Sequence, residues 1–493
     1  MTNDQDQTPR VVIMGGGPAG LTAAYELSKH DVPAVVLERD ERYVGGIAKT
    51  VEHHGYRFDI GGHRFFSKNQ EIEDLWTEIL GDEMLTCGRL SRIYYRGKYF
   101  DYPLKATNAF LNLGPLETVR CLASYLWARL HPVRNPRTLE DWVSNQFGKR
   151  LFNIFFKTYT EKVWGISCKE LSADWAAQRI KGLDMWSVIK SALLPKRKPK
   201  ERGAVIKTLI DEFRYPRLGP GQMWNRVRDV LAERGTPVRM GREVERIEHD
   251  GRGVTAVVAG GERFTGSDFV STLPIRELIA KLDPAPPPEV RRAAASLGYR
   301  DFLTVALVVD RPKLFPDNWI YIHEPGVKVG RIQNFKAWSE DMVADPDKCC
   351  LGLEYFCFEG DGLWESSDRD LIEQGKRELH QLGMVHPDDV IDGAVVRQQK
   401  AYPVYDDVYQ EHLAVIREWL ESALPNLQLA GRNGLHKYNN QDHSMLTALI
   451  VARNIALGQA LDPWNVNADA EYHEEIRDGE DRSGRRMPER LAS

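Results

Sequence analysis

The sequence predicts an α/β protein with a Rossmann-like βαβ unit at its start, an inserted, mainly helical region and an antiparallel β-sheet suited to facing a ligand. Three observations carry this. VVIMGGGPAGLTAAYELSKHDVPAVVLERD reads as strand, glycine turn, helix and strand: Val11 to Met14 form a short apolar run, Leu21 to Leu27 have helical spacing, and Val35 to Leu37 lead into Glu38. From about residue 105 to 210 the apolar residues of AFLNLG, VRCLASYLWARL, WVSNQFGKRLFNIFF and WSVIKSALL recur at helical intervals. FLTVALVVD, NWIYIHEP, GRIQNF and CLGLEYFCF are longer strand-like runs.

The other elements follow in order. PVRMGREVERIEHDGRGVTAVVAGGERF predicts a small meander turning at GRG and AGGE, and DFVSTLP a further strand. PAPPPEV marks a loop or subdomain edge, and DRDLIEQGKRELHQLG a helix. LQLAGRNG is strand-like and precedes the helix SMLTALIVARNIALGQAL; the remainder is a charged tail poor in apolar residues. With 493 residues, 42% of them hydrophobic, the chain can bury a large core, which excludes a disordered tail, a fibre or a mini-protein. A net charge of -5 provides no global pull on nucleic acid or acidic membranes. Six cysteines without a CxxC pair suggest neither a zinc site nor a disulfide scaffold, so no metal is expected. No secretory signal and no apolar run near the ~20 residues of a membrane span is visible. A reduced, cytoplasmic protein is the expectation.

Gly15, Gly17 and Gly20 form GxGxxG between the predicted strand and helix, where glycines permit a tight turn and let backbone N–H groups approach a pyrophosphate. Glu38 follows at the end of the next strand, placed to accept hydrogen bonds from a ribose diol. FAD and NAD share this fingerprint. The Gly45-Gly46 doublet in ERYVGGIAKT, and Asp59, Gly61, Gly62 and His63 in GYRFDIGGHRFFS, resemble the second glycine turn and the D-x-G-G turn of the flavin-containing amine oxidase superfamily. The resemblance spans nearly the whole chain and implies FAD. It also implies Val244 beside the adenine, and Gly431 and Arg432 of LAGRNG near the diphosphate or ribityl chain. The expected organisation is a Rossmann-like FAD-binding domain in three parts (1–104, 211–275 and 426–465), a helical subdomain (105–210), a substrate-binding β-sheet domain with helices (276–425) and a tail (466–493).

Within that superfamily several segments look most like UDP-galactopyranose mutase. FKTYTEKVWG resembles its Y-x-x-K-x-W element, FRYPRLGPGQMW a segment carrying an arginine for the substrate diphosphate, and AYPVYD one carrying a substrate tyrosine. GRNGLHKYNNQDHS keeps G-R-x-G-x-x-x-Y-x-x-x-D through Tyr438 and Asp442, with Asn440 in place of an acid as in eukaryotic-type members, whose GGH-x-x-F-S also matches. The resemblance implies an enzyme that interconverts pyranose and furanose forms of a nucleotide-activated sugar, in surface-glycan or secondary-metabolite pathways, by attack of reduced flavin N5 on the anomeric carbon. It implies a diphosphate site of Arg214, Arg331, Tyr402 and Tyr438, and sugar and uracil walls of Tyr159 and Trp164. Asn440 belongs with the substrate residues, Asp442 with the cofactor residues, and His63 on the flavin face. The helix beginning near Asp442 to Ser444 would turn its positive end to an anionic reduced flavin.

Taken alone, Trp164 in a helical stretch reads as core, isolated arginines as solvated surface, His53-His54 as surface, and the basic run Lys196 to Lys200 as a solvated loop, with membrane contact the minor alternative. The competing function is an amine oxidase-like or protoporphyrinogen oxidase-like enzyme acting on an apolar or amine substrate; a non-catalytic flavin-binding scaffold ranks below both. NADPH or NADH as external reductant, the sugar and its carrier nucleotide, and oligomeric state stay open.

Overall fold

The computed structural model describes residues 10–102, 104–171, 173, 207–209, 212–406, 408–466 and 475–477. The expected helix WSVIKSALL, the basic run Lys196 to Lys200 and nearly all of the charged tail lie outside these residues.

A parallel five-stranded sheet lies at the base, in the order Val238–Arg239, Ala34–Leu37, Val11–Met14, Asp268–Ser271, Leu427–Leu429. Val11 pairs with Ala34 on one side and Asp268 on the other. Both faces of such a sheet are covered, so VVIM and AVVL carry no polar alternation and are fully buried. On one face the helix Pro18–Lys29 packs against the helix Gln441–Leu457 and the helix Pro220–Glu233, burying Trp224, Met445 and Leu449. On the other lies the meander Val244–His249, Val254–Ala259 and Glu262–Thr265.

Above it stands a seven-stranded sheet in the order Val390–Pro403, Tyr299–Val309, Cys349–Cys357, Arg331–Asn334, Trp319–Ile322, Ser91–Tyr95, Lys98–Asp101. Its central strands are the long runs expected from sequence. The hairpin of IYYRGKYFD joins them through a parallel pairing, Trp319 opposite Ser91. The strand Val390–Pro403 carries a bulge: Arg300 faces Tyr402 but Phe302 faces Gln398. Lys400 in the bulge takes a left-handed φ of 52° and donates its N–H to Asp301 Oδ1 at 2.7 Å. The bulge turns residues 398–401 toward the cleft between the sheets.

The helices Ala106–Leu113, Pro115–Leu130, Leu139–Phe147 and Thr158–Trp164 close one end of this sheet. The helix Thr158–Trp164 is pinned there by two buried cations. Lys162 Nζ donates to the carbonyls of Ile322, Glu324 and Val329 at 3.2, 2.7 and 3.0 Å, and burial lowers its pKa to about 8. Arg300 donates to the carbonyls of Val163 and Phe356 at 3.0 and 2.9 Å. His53 and His54, expected on the surface, both turn to Asp392 Oδ2 at 3.1 and 2.7 Å, tying the hairpin Thr50–His53/Tyr56–Asp59 to the bulged strand.

Candidate active site

The first strand ends in Gly15 at φ +104°, and a Cβ there would lie 2.2 Å from Thr272 Oγ1. Gly17 caps the helix Pro18–Lys29 without a side-chain hydrogen bond, so its first-turn N–H groups are left for a ligand. Gly45 donates its N–H to the Gly16 carbonyl at 2.8 Å, and a Cβ on Gly46 would come within 3.3 Å of Gly17 Cα. The two glycine turns thus pack backbone against backbone beside a bare helix end. Gly431 lies between two helices: a Cβ on it would come within 2.9 Å of Ala19 Cβ, and its N–H donates to Thr447 Oγ1 of the helix Gln441–Leu457 at 2.9 Å. Glu38 is buried at the end of the second strand; its carboxylate accepts the N–H of Gly16 at 2.7 Å and of Asp40 at 2.9 Å, and burial raises its pKa. Gly15, Gly17, Glu38, Gly46, His63, Val244, Gly431, Arg432 and Asn440 line one cleft. The bare helix end and the buried acid fit the pyrophosphate and ribose of a dinucleotide, and these residues would hold it.

His63 sits at the end of the Asp59–Gly62 turn, its Nδ1 3.1 Å from the Gly61 carbonyl. Burial, then the charges of Arg432 and Arg331, push its pKa down to about 3, so the ring is neutral at physiological pH. Asp59 anchors this turn. It accepts hydroxyls from Tyr215 at 2.5 Å and Thr50 at 2.9 Å, and burial raises its pKa from 3.8 to about 7. A group whose pKa is raised on folding gives its full stability contribution below the unfolded value and loses it as pH climbs through the folded one. Between pH 4 and 7 the wild type is expected to lose up to about 4 kcal/mol from this group. Asp59→Asn abolishes that term, and urea unfolding of both proteins across this pH range checks it; parallel pH profiles would refute it.

Near His63, Arg432 on the cleft wall and Arg331 behind it belong to a group of charged and aromatic side chains. Arg432 donates through Nε to the Asn439 carbonyl at 2.8 Å and through Nη1 to the Ala401 carbonyl at 2.9 Å, which holds the guanidinium 5.3 and 5.2 Å from the rings of Tyr402 and Tyr438. Those two rings stack at 5.6 Å. Arg331 pairs through Nε with Glu354, a carboxylate with no exposed surface. Burial is the largest single influence and opposes the Arg331 charge, but Glu354 and the neighbouring Tyr159, Tyr402 and Tyr321 together raise the guanidinium pKa well above its usual value. Nη1 and Nη2 of Arg331 have no hydrogen-bond partner among the described residues. Tyr159, Tyr321 and Tyr402 lie within its electrostatic reach, and Tyr159 stacks on His323 at 5.0 Å. Burial raises the Tyr402 pKa to about 12, so its hydroxyl is a neutral donor.

Other expected site residues are engaged in structural contacts, some of them away from the cleft. Arg214 does not join Arg331: its Nη1 donates to the Glu73 carbonyl and carboxylate, both at 3.2 Å, because its strand runs beside the helix Gln70–Leu80. Trp164 is buried in the core of the helical region with Phe152, Phe155 and Cys168, a cluster against which Tyr438 packs. Asn440 is the N-cap of the helix Gln441–Leu457, in a reciprocal capping box with His443. Asp442 Oδ2 accepts the Ser67 hydroxyl at 3.0 Å, fastening the His63 turn to that helix. Gly45 and Gly62 shape the turns and do not line the cleft: a Cβ on Gly45 would strike Trp224 at 2.8 Å, and Gly62 faces Trp338. Gly20 serves the packing of the first helix on the first strand, with Gly15 O 1.9 Å from an added Cβ.

Glu354 and Gln333 were not singled out from sequence, and Lys162 entered only as the lysine of the Y-x-x-K-x-W element. A lone acid inside the apolar run CLGLEYFCF is a readable signal, because a buried charge needs a partner.

A family described as flavin containing amine oxidoreductase matches residues 18–455. A putative flavin-containing monoamine oxidase AofH from Mycobacterium tuberculosis is 25% identical over 303 residues, 58% of this chain; the matched part spans 62% of that protein's length. A dTDP-fucopyranose mutase from Escherichia coli is 26% identical over 173 residues, 33% of this chain and 44% of its own. The crystal structure of a reduced UDP-galactopyranose mutase superposes with a TM-score of 0.79 at 22% identity, covering 94% of this chain and 98% of that one. A family match running from the first helix to the last, over a fold shared along nearly the whole chain, makes this protein a member of the flavin containing amine oxidoreductase family and an FAD-dependent enzyme.

Proposed function

We propose that this flavoenzyme interconverts the pyranose and furanose forms of a nucleotide-activated sugar. The observation that carries the reading is Arg331: a guanidinium held by Glu354, with no hydrogen bond from either Nη group among the described residues, within electrostatic reach of His63 and of Tyr159, Tyr321 and Tyr402. Such a fork matches two phosphate oxygens, and charge-assisted contacts are the strong ones in diphosphate recognition. Two arginines near the cofactor cleft are ill suited to an alkylammonium substrate, which they would repel, and this weighs against amine oxidation here.

Reduced FAD would supply the nucleophile for the anomeric carbon. Arg331 binds the leaving diphosphate and neutralises its charge, and Tyr402 and Tyr438 donate hydroxyl hydrogen bonds beside it. Arg432 holds those two rings in register. Neutral His63 shapes the flavin side without adding a competing cation. Ring opening and reclosure through another hydroxyl leave no net redox change, so one reduction, with NADPH or NADH as the external source, serves many turnovers.

Anaerobic protein reduced with dithionite is expected to interconvert UDP-galactopyranose and UDP-galactofuranose, or the matching dTDP sugars, while oxidised protein does not. Oxygen-dependent turnover of an amine, with no affinity for uridine or thymidine diphosphate, would overturn the proposal.

A further inference from the structure

The helix Pro115–Leu130 buries one face, with Cys121 and Tyr125 against Val143 and Phe147, and leaves the opposite face bare. Leu116, Val119, Leu126, Trp127 and Leu130 follow one another at helical spacing, and all are at least 60% exposed. Leu111, near the end of the preceding helix Ala106–Leu113, is a further large apolar residue, 81% exposed. The stripe runs about 21 Å at 1.5 Å per residue. Single exposed apolar residues are ordinary on a protein surface, but a contiguous row of this size marks a contact site.

The charges around it indicate what it contacts. Residues 105 to 150 contain seven Lys or Arg against three Asp or Glu, in a chain whose net charge is -5. Two of the acids are turned inward: Glu117 pairs with Arg150 and Glu140 with Lys149, at 17% and 12% side-chain exposure. Arg129, Arg134 and Arg137 are exposed, and Lys105 and Arg120, 72% and 57% exposed, pair with Asp101 and Glu117 at 3.5 Å. A second copy docked through this face would bring two cationic surfaces together. An anionic lipid surface would satisfy both the apolar row and its basic border. Trp127, stacked on His131 at 4.2 Å, is the residue type that settles at the level of lipid headgroups. Among the described residues no helix is long and apolar enough to cross a membrane, so the contact lies in the plane of the surface.

We propose that the face formed by Leu116, Val119, Leu126, Trp127 and Leu130 seats the enzyme on an anionic lipid bilayer. The test is flotation of the full-length flavin-loaded protein with vesicles of phosphatidylcholine alone and of phosphatidylcholine with phosphatidylglycerol. The wild type is expected to float with the anionic vesicles, to be released by salt and to bind the neutral ones about tenfold less or weaker. Leu126→Glu and Trp127→Glu, both on exposed positions, are each expected to lower anionic-vesicle binding about tenfold or more, with far-UV dichroism and bound flavin unchanged. Arg120→Glu should weaken binding and its salt dependence together. Equal binding to both vesicle types, or retention of both glutamate variants on anionic vesicles, would overturn the proposal. So would a dimer in sedimentation that Trp127→Glu dissociates, which would assign the face to a second copy.

Discussion

Glu354→Ala is expected to destabilise the protein by about 3–5 kcal/mol and to abolish measurable nucleoside diphosphate binding. Glu354 sits opposite Arg331 in the register of the seven-stranded sheet and has no exposed surface. It accepts Arg331 Nε and, at 2.6 Å, Gln333 Nε2. Removing it leaves a charged guanidinium in a poorly solvated cleft and strands the Gln333 amide as well, and an uncompensated buried charge is among the few single changes that cost this much. Glu354→Gln retains the shape and one acceptor and should cost less, while still lowering diphosphate affinity because Arg331 is no longer held in place. Replacing both partners, with Arg331→Met and Glu354→Leu together, should recover most of the stability and none of the binding. Urea unfolding midpoints at constant m-value and calorimetric titration with uridine diphosphate separate the two effects. A Glu354→Ala protein as stable as the wild type would show that this pair is not the buried charge system described.

The same design recurs around the cleft: charged groups are spent on backbone carbonyls to fix elements that the hydrophobic core alone leaves loose. Lys162 and Arg300 pin the short helix Thr158–Trp164 to the sheet, Arg432 binds the loop 436–440 to the bulged strand, and Lys437 reaches the carbonyls of Trp464 and Val466 at 2.9 and 2.6 Å. Each is a cation with at least one partner more than 25 residues away in sequence, so long-range polar contacts tie these elements together on an apolar frame.

That division explains what could be read in advance. The βαβ unit was legible because glycines, apolar periodicity and Glu38 obey local rules. The strands Tyr299–Val309 and Cys349–Cys357 were legible because they are buried on both faces, and their long apolar runs, FLTVALVV and CCLGL, show it despite the polar Thr304 and Glu354 within or beside them. The hairpin 91–101 was not, since nothing in its own sequence points to its parallel partner more than two hundred residues away. Arg214 looks alike in sequence whether its guanidinium meets a substrate phosphate or Glu73; only the packing of the helix Gln70–Leu80 decides it. Trp164 likewise carries no local mark that separates a pocket wall from a core residue. Asn440 did carry one: an Asn directly before a helix is a capping signal, and the capping role was readable.

Two glycines of one motif are expected to fail in different ways when changed to alanine. A Cβ on Gly20 would lie 1.9 Å from the Gly15 carbonyl oxygen and 3.1 Å from its carbon, backbone against backbone, so neither the first strand nor its helix can yield without parting from the other. Gly20→Ala should therefore cost about 3 kcal/mol or more, at the upper end of overpacking, and yield protein without flavin. A Cβ on Gly17 meets only Gly46 Cα at 3.8 Å, an ordinary contact, and the Gly17 backbone is extended. Gly17→Ala should fold as the wild type does but place a methyl group where the cleft must admit a phosphate, lowering flavin affinity alone. Flavin-to-protein absorbance after gel filtration, read beside the thermal unfolding midpoint, distinguishes the two. If Gly20→Ala kept both flavin and midpoint, the close approach of first strand and helix would not be what builds the cofactor cradle.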